Sequence, residues 1–404
     1  MEKLTHYIFV SKAKPDMKNI RELAFPVLIA IICGFTAANM YYIQPLVPFI
    51  QKSLLVSYEK ASMLYSFSLT GNAVSLIFII PAGDFYNRKN LIGKLLIISI
   101  ISLFVFSISS NFYSLSLSAF FIGVGTSSIP LIIASLSSGV NGKINNVGRI
   151  MAGVLFGILF SRFISSVFST LWGWKSVYLF SDIIMLLSYI YIRIEFPESA
   201  TKESKTKYLD ILSSNLRSFI NNSAVRYYSA NGFIVMFLFA SYWNNISSYL
   251  QDGFSLSQFD VGIFSLTGVA GASCALFSAP LLRVLKNNSA VIMLLDLLSF
   301  AIMIFLTHYF WAAISGALFI DAFIQLSHIN NQRKLYQASN GNEARAASCY
   351  MTAFVIGGAS GGAISSHIYT LFGWSGVLIL CAMICLLSFL LKSPEENTIT
   401  LPGE

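Results

Sequence analysis

Charge is what this 404-residue chain has least of. Asp, Glu, Lys and Arg make up 11% of it, against about 25% in an average soluble domain. With 55% of its residues in the hydrophobic set, a soluble fold would expose too much apolar surface to stay dispersed. No G-x-x-x-x-G-K-[ST] stretch occurs, so the phosphate cradle needed for direct ATP hydrolysis is missing. Cys33, Cys274, Cys349, Cys381 and Cys385 all fall in apolar stretches, spaced for neither a disulfide framework nor a structural metal. His308 and His367 have no ligand-spaced companion, and no nucleophile–base constellation stands out. The chain reads as a non-enzyme without metal or cofactor. No basic stripe is interleaved with aromatics, which argues against a nucleic-acid partner.

What is present is apolar and comes in blocks. About 20 helical residues at 1.5 Å each cross a hydrocarbon core of about 30 Å. Twelve such blocks lie near 25–47, 61–82, 91–110, 112–136, 150–171, 176–194, 229–250, 259–281, 290–307, 310–330, 348–370 and 374–391. None alternates with the two-residue period of a membrane β-barrel. The pattern predicts an all-α integral membrane protein with twelve transmembrane helices, embedded in lipid.

The basic residues set the orientation. With the N-terminus inside, cytoplasmic segments hold 22 of the 26 Lys and Arg, and cytoplasmic loops are where such residues collect. The +8 net charge is therefore mostly topology. Residues 1–24 carry Lys, Asp and Glu ahead of a full-length span and read as a cytoplasmic tail, as do 392–404. A multi-pass protein of the cell inner membrane, both termini cytoplasmic, is the expectation.

The chain repeats itself. "FSLTG" stands at Phe67–Gly71 and again at Phe264–Gly268, 197 residues on. The same shift pairs Lys89-Asn90 with Lys286-Asn287 and Pro197-Glu198 with Pro394-Glu395. A shift of 200 aligns 148–177 with 348–377, where Met151, Gly157, Ile164, Ser165, Ser166, Thr170, Leu171, Gly173, Trp174 and Val177 all recur. Two parallel six-helix bundles are predicted, 25–194 and 229–391, joined by a polar cytoplasmic linker at 195–228. Within that linker Leu209, Leu212, Leu216 and Phe219 recur at helical spacing, as in a helix lying on a membrane surface. Two such halves imply a cavity between them and a rocking motion about it.

At this point the chain resembles the major facilitator superfamily along nearly its whole length. "GDFYNRKN" at 83–90, opening on Gly83, is similar to that superfamily's loop signature between spans 2 and 3, with Asp84 as the acid, Asn87 at the turn and Arg88-Lys89 as the basic pair, while the signature's first Gly falls on Ile80 and its Arg after the acid on Phe85. "ANMYYIQPLVPFI" at 38–50 and "ILFSRFIS" at 158–165 look closest to bacterial efflux members of the drug–proton antiporter-like kind. The arginine of such antiporters in span 4 falls on Ala119, and the proline of their span 5 signature on Ile158. The resemblance implies the major facilitator fold, alternating access, and proton-coupled efflux of a small organic solute by a monomer, with the proton gradient as energy source. Proton symport for uptake on the same fold is the rival reading. A non-transporting sensor or scaffold is the other, and would call for an appended soluble domain.

Chemistry is expected where polar groups enter the spans. Asp84 with Arg88, Lys89 and Arg149 forms a candidate conformational latch; the bland alternative is that Arg88 and Lys89 only anchor the inner side. Charges at mid-membrane cost several kcal/mol unless paired or hydrated, which singles out Arg162, Asp182, Asp296 and Asp321. Asp321, Gln325 and His328 lie at i, i+4 and i+7 on span 10, one face of a helix. Asp321 is the candidate proton carrier, since burial favours its neutral form and a nearby cation its charged form; a fixed salt bridge or a solvated wall are the alternatives. Arg162 is either partner to a membrane carboxylate, a fork for an anionic solute group, or a structural pair. Asn39, Tyr41, Tyr42 and Gln44 on span 1 and Tyr242, Trp243, Asn244 and Asn245 on span 7 supply amides and aromatics suited to a substrate cavity, or to an interfacial belt and interhelical hydrogen bonds.

Overall fold

The computed structural model describes residues 17–137, 145–198, 207–339, 342–391 and 394, and among them only helices form. Nine helical segments among the described residues are long and apolar enough to cross a membrane. Spans 1 to 6 are Ala24–Leu54, Tyr58–Asp84, Arg88–Ile108, Phe112–Ser137, Val147–Trp172 and Ser176–Glu195. Span 7 is Ser223–Phe254, one continuous 32-residue helix that carries Asn231, Asn244 and Asn245 on its buried surface. Span 8 is Gln258–Leu276, extended by Ser278–Val284; span 9, Ser289–Phe305, leaves it at 96°. Span 10 is Phe310–Gln337. Spans 11 and 12 share the helix Glu343–Ser388, broken at Gly373.

The local causes are readable. Span 1 outruns its apolar block because Pro45 and Pro48 each sit in the first turn of a fresh helical segment, Gln44–Leu46 and Val47–Leu54, where a missing N–H costs nothing. Asparagine caps start span 3 (Asn87), span 4 (Asn111), span 7 (Asn222) and span 9 (Asn288). The repeat appears in the turns. Leu55 and Ser255 both take left-handed backbone, and Ser57 and Ser257 each cap the helix that follows. Gly173 and Gly373 have φ of 85° and 65°, where a side chain would be strained. Each precedes a tryptophan at the same point of its half.

Each half has its own core. In the first, Tyr42, Phe106, Tyr178 and Trp174 stack beneath spans 1, 3 and 6. In the second, Tyr242, Tyr249 and Trp374 do so beneath spans 7 and 12. The halves meet through spans 2 with 11, 5 with 8, and 1 with 7. The linker helix Tyr208–Asn221 lies across the termini side. Its Tyr208 hydroxyl donates to the Phe78 carbonyl of span 2 (2.6 Å), and its Asn215 carbonyl accepts from the Cys349 thiol of span 11 (3.3 Å). Leu209, Leu216 and Phe219 are exposed, the apolar face a surface helix would turn to lipid.

On the side opposite the termini the halves are tied together. The Tyr58 hydroxyl donates to Asn245 Oδ1 (2.8 Å), Asn244 Nδ2 to Ser62 Oγ (2.6 Å), and Gln258 Nε2 to the Pro45 carbonyl (2.9 Å). His367 and Glu59 approach to 3.3 Å. Toward the termini, spans 5 and 8 shed contact. Between 147 and 160 only Ile150 and Leu159 of span 5 are buried, and between 272 and 284 only Leu282 of span 8.

Candidate functional site

A buried cation and a buried carboxylate, one from each half, stand where the far-side seal ends. Arg162, on span 5, is 2% exposed. Its Nε donates to Gln44 Oε1 of span 1 (2.7 Å), and its guanidinium lies 3.9 Å above the Trp243 ring of span 7, with Phe239 at 5.1 Å and Tyr41 at 5.9 Å. A desolvated cation over aromatic faces is held by about 2 kcal/mol or more. Trp243 uses its edge as well: Nε1–H donates to Asp321 Oδ1 on span 10 (2.8 Å). One indole therefore joins a cation of the first half to a carboxylate of the second, and no direct Arg162–Asp321 ion pair forms.

Two glycines of span 8 make the room for this. A Cβ on Gly268 would stand 3.3 Å from Asp321 Oδ2 and 3.5 Å from Arg162 Nη1; one on Gly271 would stand 2.8 Å from the same carboxylate oxygen. Carboxylate and guanidinium thus converge on one small gap. Arg162 Nη2 and Gln44 Nε2 are buried without hydrogen-bond partners among the described residues, donors left over for something else. On the far side of Arg162, between Pro45, Trp243, Val261 and Ser265, the free volume is only about 10 Å³, room for one water at most.

The structure sorts the residues singled out in the sequence. Tyr41, Gln44, Arg162, Trp243 and Asp321 come together. Asn244 and Asn245 belong to the far-side seal. Asn39 and Tyr42 instead face the interior of the first half, Asn39 accepting from Ser181 and Tyr42 standing edge-on to Tyr178. Tyr242 packs on Trp374 inside the second half. His328 shares a hydrogen bond with the Tyr350 hydroxyl (3.0 Å) and lies on Phe354, turned toward span 11; Gln325 is half-buried. Asp296 is fully buried with neither carboxylate oxygen bonded among the described residues. Groups of three or more His, Cys, Asp or Glu fit to hold a metal are absent among the described residues.

In the loop between spans 2 and 3, Arg88 pairs with Asp84 (3.1 Å) and donates to the carbonyls of Gly83 and Ala134 (3.0 Å each). Lys89 reaches Glu198 (3.3 Å), and Asn87 donates to the same carboxylate (3.0 Å). Hydrogen bonds from Asn87 and then Lys89 hold the Glu198 carboxyl below its usual range. Arg149 is not among these groups; it is exposed at the start of span 5. Glu198, Gly268, Gly271 and Phe239 were not singled out from the sequence. For Glu198 the signal existed: Pro197-Glu198 and Lys89-Asn90 recur at one shift, and the structure brings Lys89 and Glu198 into contact.

Known proteins place the chain. The family model of the Major Facilitator Superfamily matches residues 29–332. The chain is 29% identical over 374 residues to an uncharacterized transporter, YgaY, of Escherichia coli O157:H7, covering 91% of this chain and 94% of that protein. Its fold is similar to the nucleoside transporter NupG (TM-score 0.74, 12% identity, 91% and 98% of the two chains). It is also similar to a bacterial homologue of the human lysosomal transporter Spinster, solved inward-facing and unoccupied (TM-score 0.72, 14% identity, 90% and 95%).

Proposed function

Because the chain belongs to the major facilitator superfamily and is a multi-pass membrane transporter, we propose that it moves a small organic solute by alternating access, coupled to protons through Asp321 and Arg162. The observation that carries this reading is Trp243, which joins the two charges across the two halves. With Asp321 ionised, the indole N–H has a charged acceptor and the guanidinium has an anion within electrostatic reach. A proton on Asp321 removes that anion, and Arg162 is left with aromatic faces, Gln44 and a spare Nη2. A solute that offers Arg162 an acceptor competes with the ionised carboxylate and so binds together with the proton, as in symport; a solute whose cationic group takes Asp321 as counter-ion needs the carboxylate ionised, which makes solute and proton mutually exclusive, as an antiporter requires.

Alternating access needs a seal that moves from one side to the other. The far-side hydrogen bonds around Tyr58, Ser62, Asn244 and Gln258 open in the second state, while the Asp84–Arg88 loop closes the termini side. In the orientation favoured by the basic residues that side is cytoplasmic, the membrane is the inner membrane and the protein works as a monomer. Export follows from the resemblance of spans 1 and 5 to drug–proton antiporters; uptake by symport would use the same residues.

Reconstitution in liposomes carrying a pH-sensitive dye tests this. An imposed proton gradient and a panel of organic solutes should give solute-dependent proton flux in the wild type, lost in Asp321→Asn. Unchanged flux in that variant moves the proton site elsewhere. Reversing the gradient separates export from uptake by the direction of solute movement.

A further inference from the structure

A groove of about 470 Å³ runs along the flank of the first half, between spans 1 and 5. It lies away from the charged site, on the face of span 5 opposite Arg162. Its floor is the helix crossing itself, where a Cβ on Gly153 would stand 2.2 Å from the Ala30 carbonyl oxygen and one on Gly157 2.0 Å from that of Gly34. Its walls include Ile31 and Phe156, both about half exposed. One lining residue is charged: Arg149, exposed and without a hydrogen bond or ion pair to any described residue.

We propose that this groove binds one anionic phospholipid, its phosphate on Arg149 and an acyl chain along the trough. Three features support this occupant. The lining is otherwise wholly apolar, so it suits a hydrocarbon chain and offers nothing to a polar solute. Arg149 stands two residues into span 5, at headgroup depth, where a basic group between helices recognises an anionic headgroup. From Arg149 to Phe160, eleven residues of helix rise about 16 Å, about one leaflet of a ~30 Å hydrocarbon core. The groove is as deep as a single chain needs, with the cation at its mouth. Arg149, expected in the sequence to join the Asp84 latch, stands apart from it while the far side is sealed, and in this state takes the headgroup.

Native mass spectrometry on the purified full-length protein tests this with phosphatidylglycerol and phosphatidylethanolamine of identical chains. The wild type should hold phosphatidylglycerol about fivefold more tightly, the worth of one basic residue at the membrane surface. Arg149→Gln should erase that preference and Arg149→Lys retain it. Ala152→Leu, which fills the groove, should weaken both lipids, and glycerol phosphate without chains should displace neither. Equal binding of the two lipids to the wild type, a preference that persists in Arg149→Gln, or displacement by glycerol phosphate would each overturn the proposal. Arg149 is exposed, so its variants report on the headgroup even if Ala152→Leu fails to fold.

Discussion

The two ends of the molecule are bonded in different ways, and only the far one is shut. On the far side the bonds run between the halves: Tyr58 to Asn245, Ser62 to Asn244, Gln258 to Pro45. On the termini side, among the described residues, the loop's bonds do not cross to the second half: they pair Asp84 with Arg88, and Lys89 with Glu198 at the start of the linker. These three ties are neutral amides and hydroxyls, each worth about 0.5–1.5 kcal/mol net, because water can replace either partner; the ionisable pair beside them, His367 and Glu59, is already exposed. A seal built that way opens without uncovering a buried charge. The charges are kept one level deeper, where Trp243 separates Arg162 from Asp321.

The sharpest way to break this arrangement is at the glycine that makes room for it. Gly271→Ala should place a methyl 2.8 Å from Asp321 Oδ2 and 3.1 Å from its carbonyl oxygen. Overpacking of that kind costs about 1–3 kcal/mol, and transport should fall about tenfold while the protein stays folded. Normal flux in Gly271→Ala would mean that the carboxylate need not sit where it does.

A smaller effect is expected at the seal. Tyr58→Phe deletes the donor to Asn245, and a loss of about 1 kcal/mol should enrich far-side-open molecules about fivefold. Spin labels at Lys60 and Leu371, exposed near the far ends of spans 2 and 11, would report this as a longer-distance population. An unchanged distribution would show that packing, not these bonds, keeps the far side shut.

The smallest effect belongs to the termini-side clasp. The carboxyl of Glu198 is held below its ordinary value of 4.5, so its contribution is intact above pH 4.5 and is lost as pH falls through its depressed value. Hydrogen exchange at the amides of Asn90 and Leu91, corrected for its intrinsic pH dependence, should show that step in the wild type and not in Glu198→Gln. A step retained in the variant would assign it to another group.

Much of the fold was legible because hydrocarbon is an unforgiving solvent: a helix that crosses it must be apolar for its whole length. The blocks therefore gave the spans, and the matched Gly173 and Gly373 gave the equivalence of the halves before either turn was seen. The site was legible only as a list. That Arg162 and Asp321 are joined through Trp243 depends on how spans 5, 7 and 10 lean together, which no spacing along one helix contains. Tyr42 and Asn39 misled for the same reason. A polar residue on span 1 looks alike whether it faces the other half or, as here, Tyr178 and Ser181 of its own.

The linker helix bears on how far any of this can move. It touches span 2 through Tyr208, its first residue, and span 11 through Asn215, at its middle, and the seven residues between them form a rod of about 10 Å. A rod held at two such points neither stretches nor folds, so while both bonds last it limits how wide the two halves can gape on that side. The stroke of the machine is written in the length of a segment that never enters the membrane.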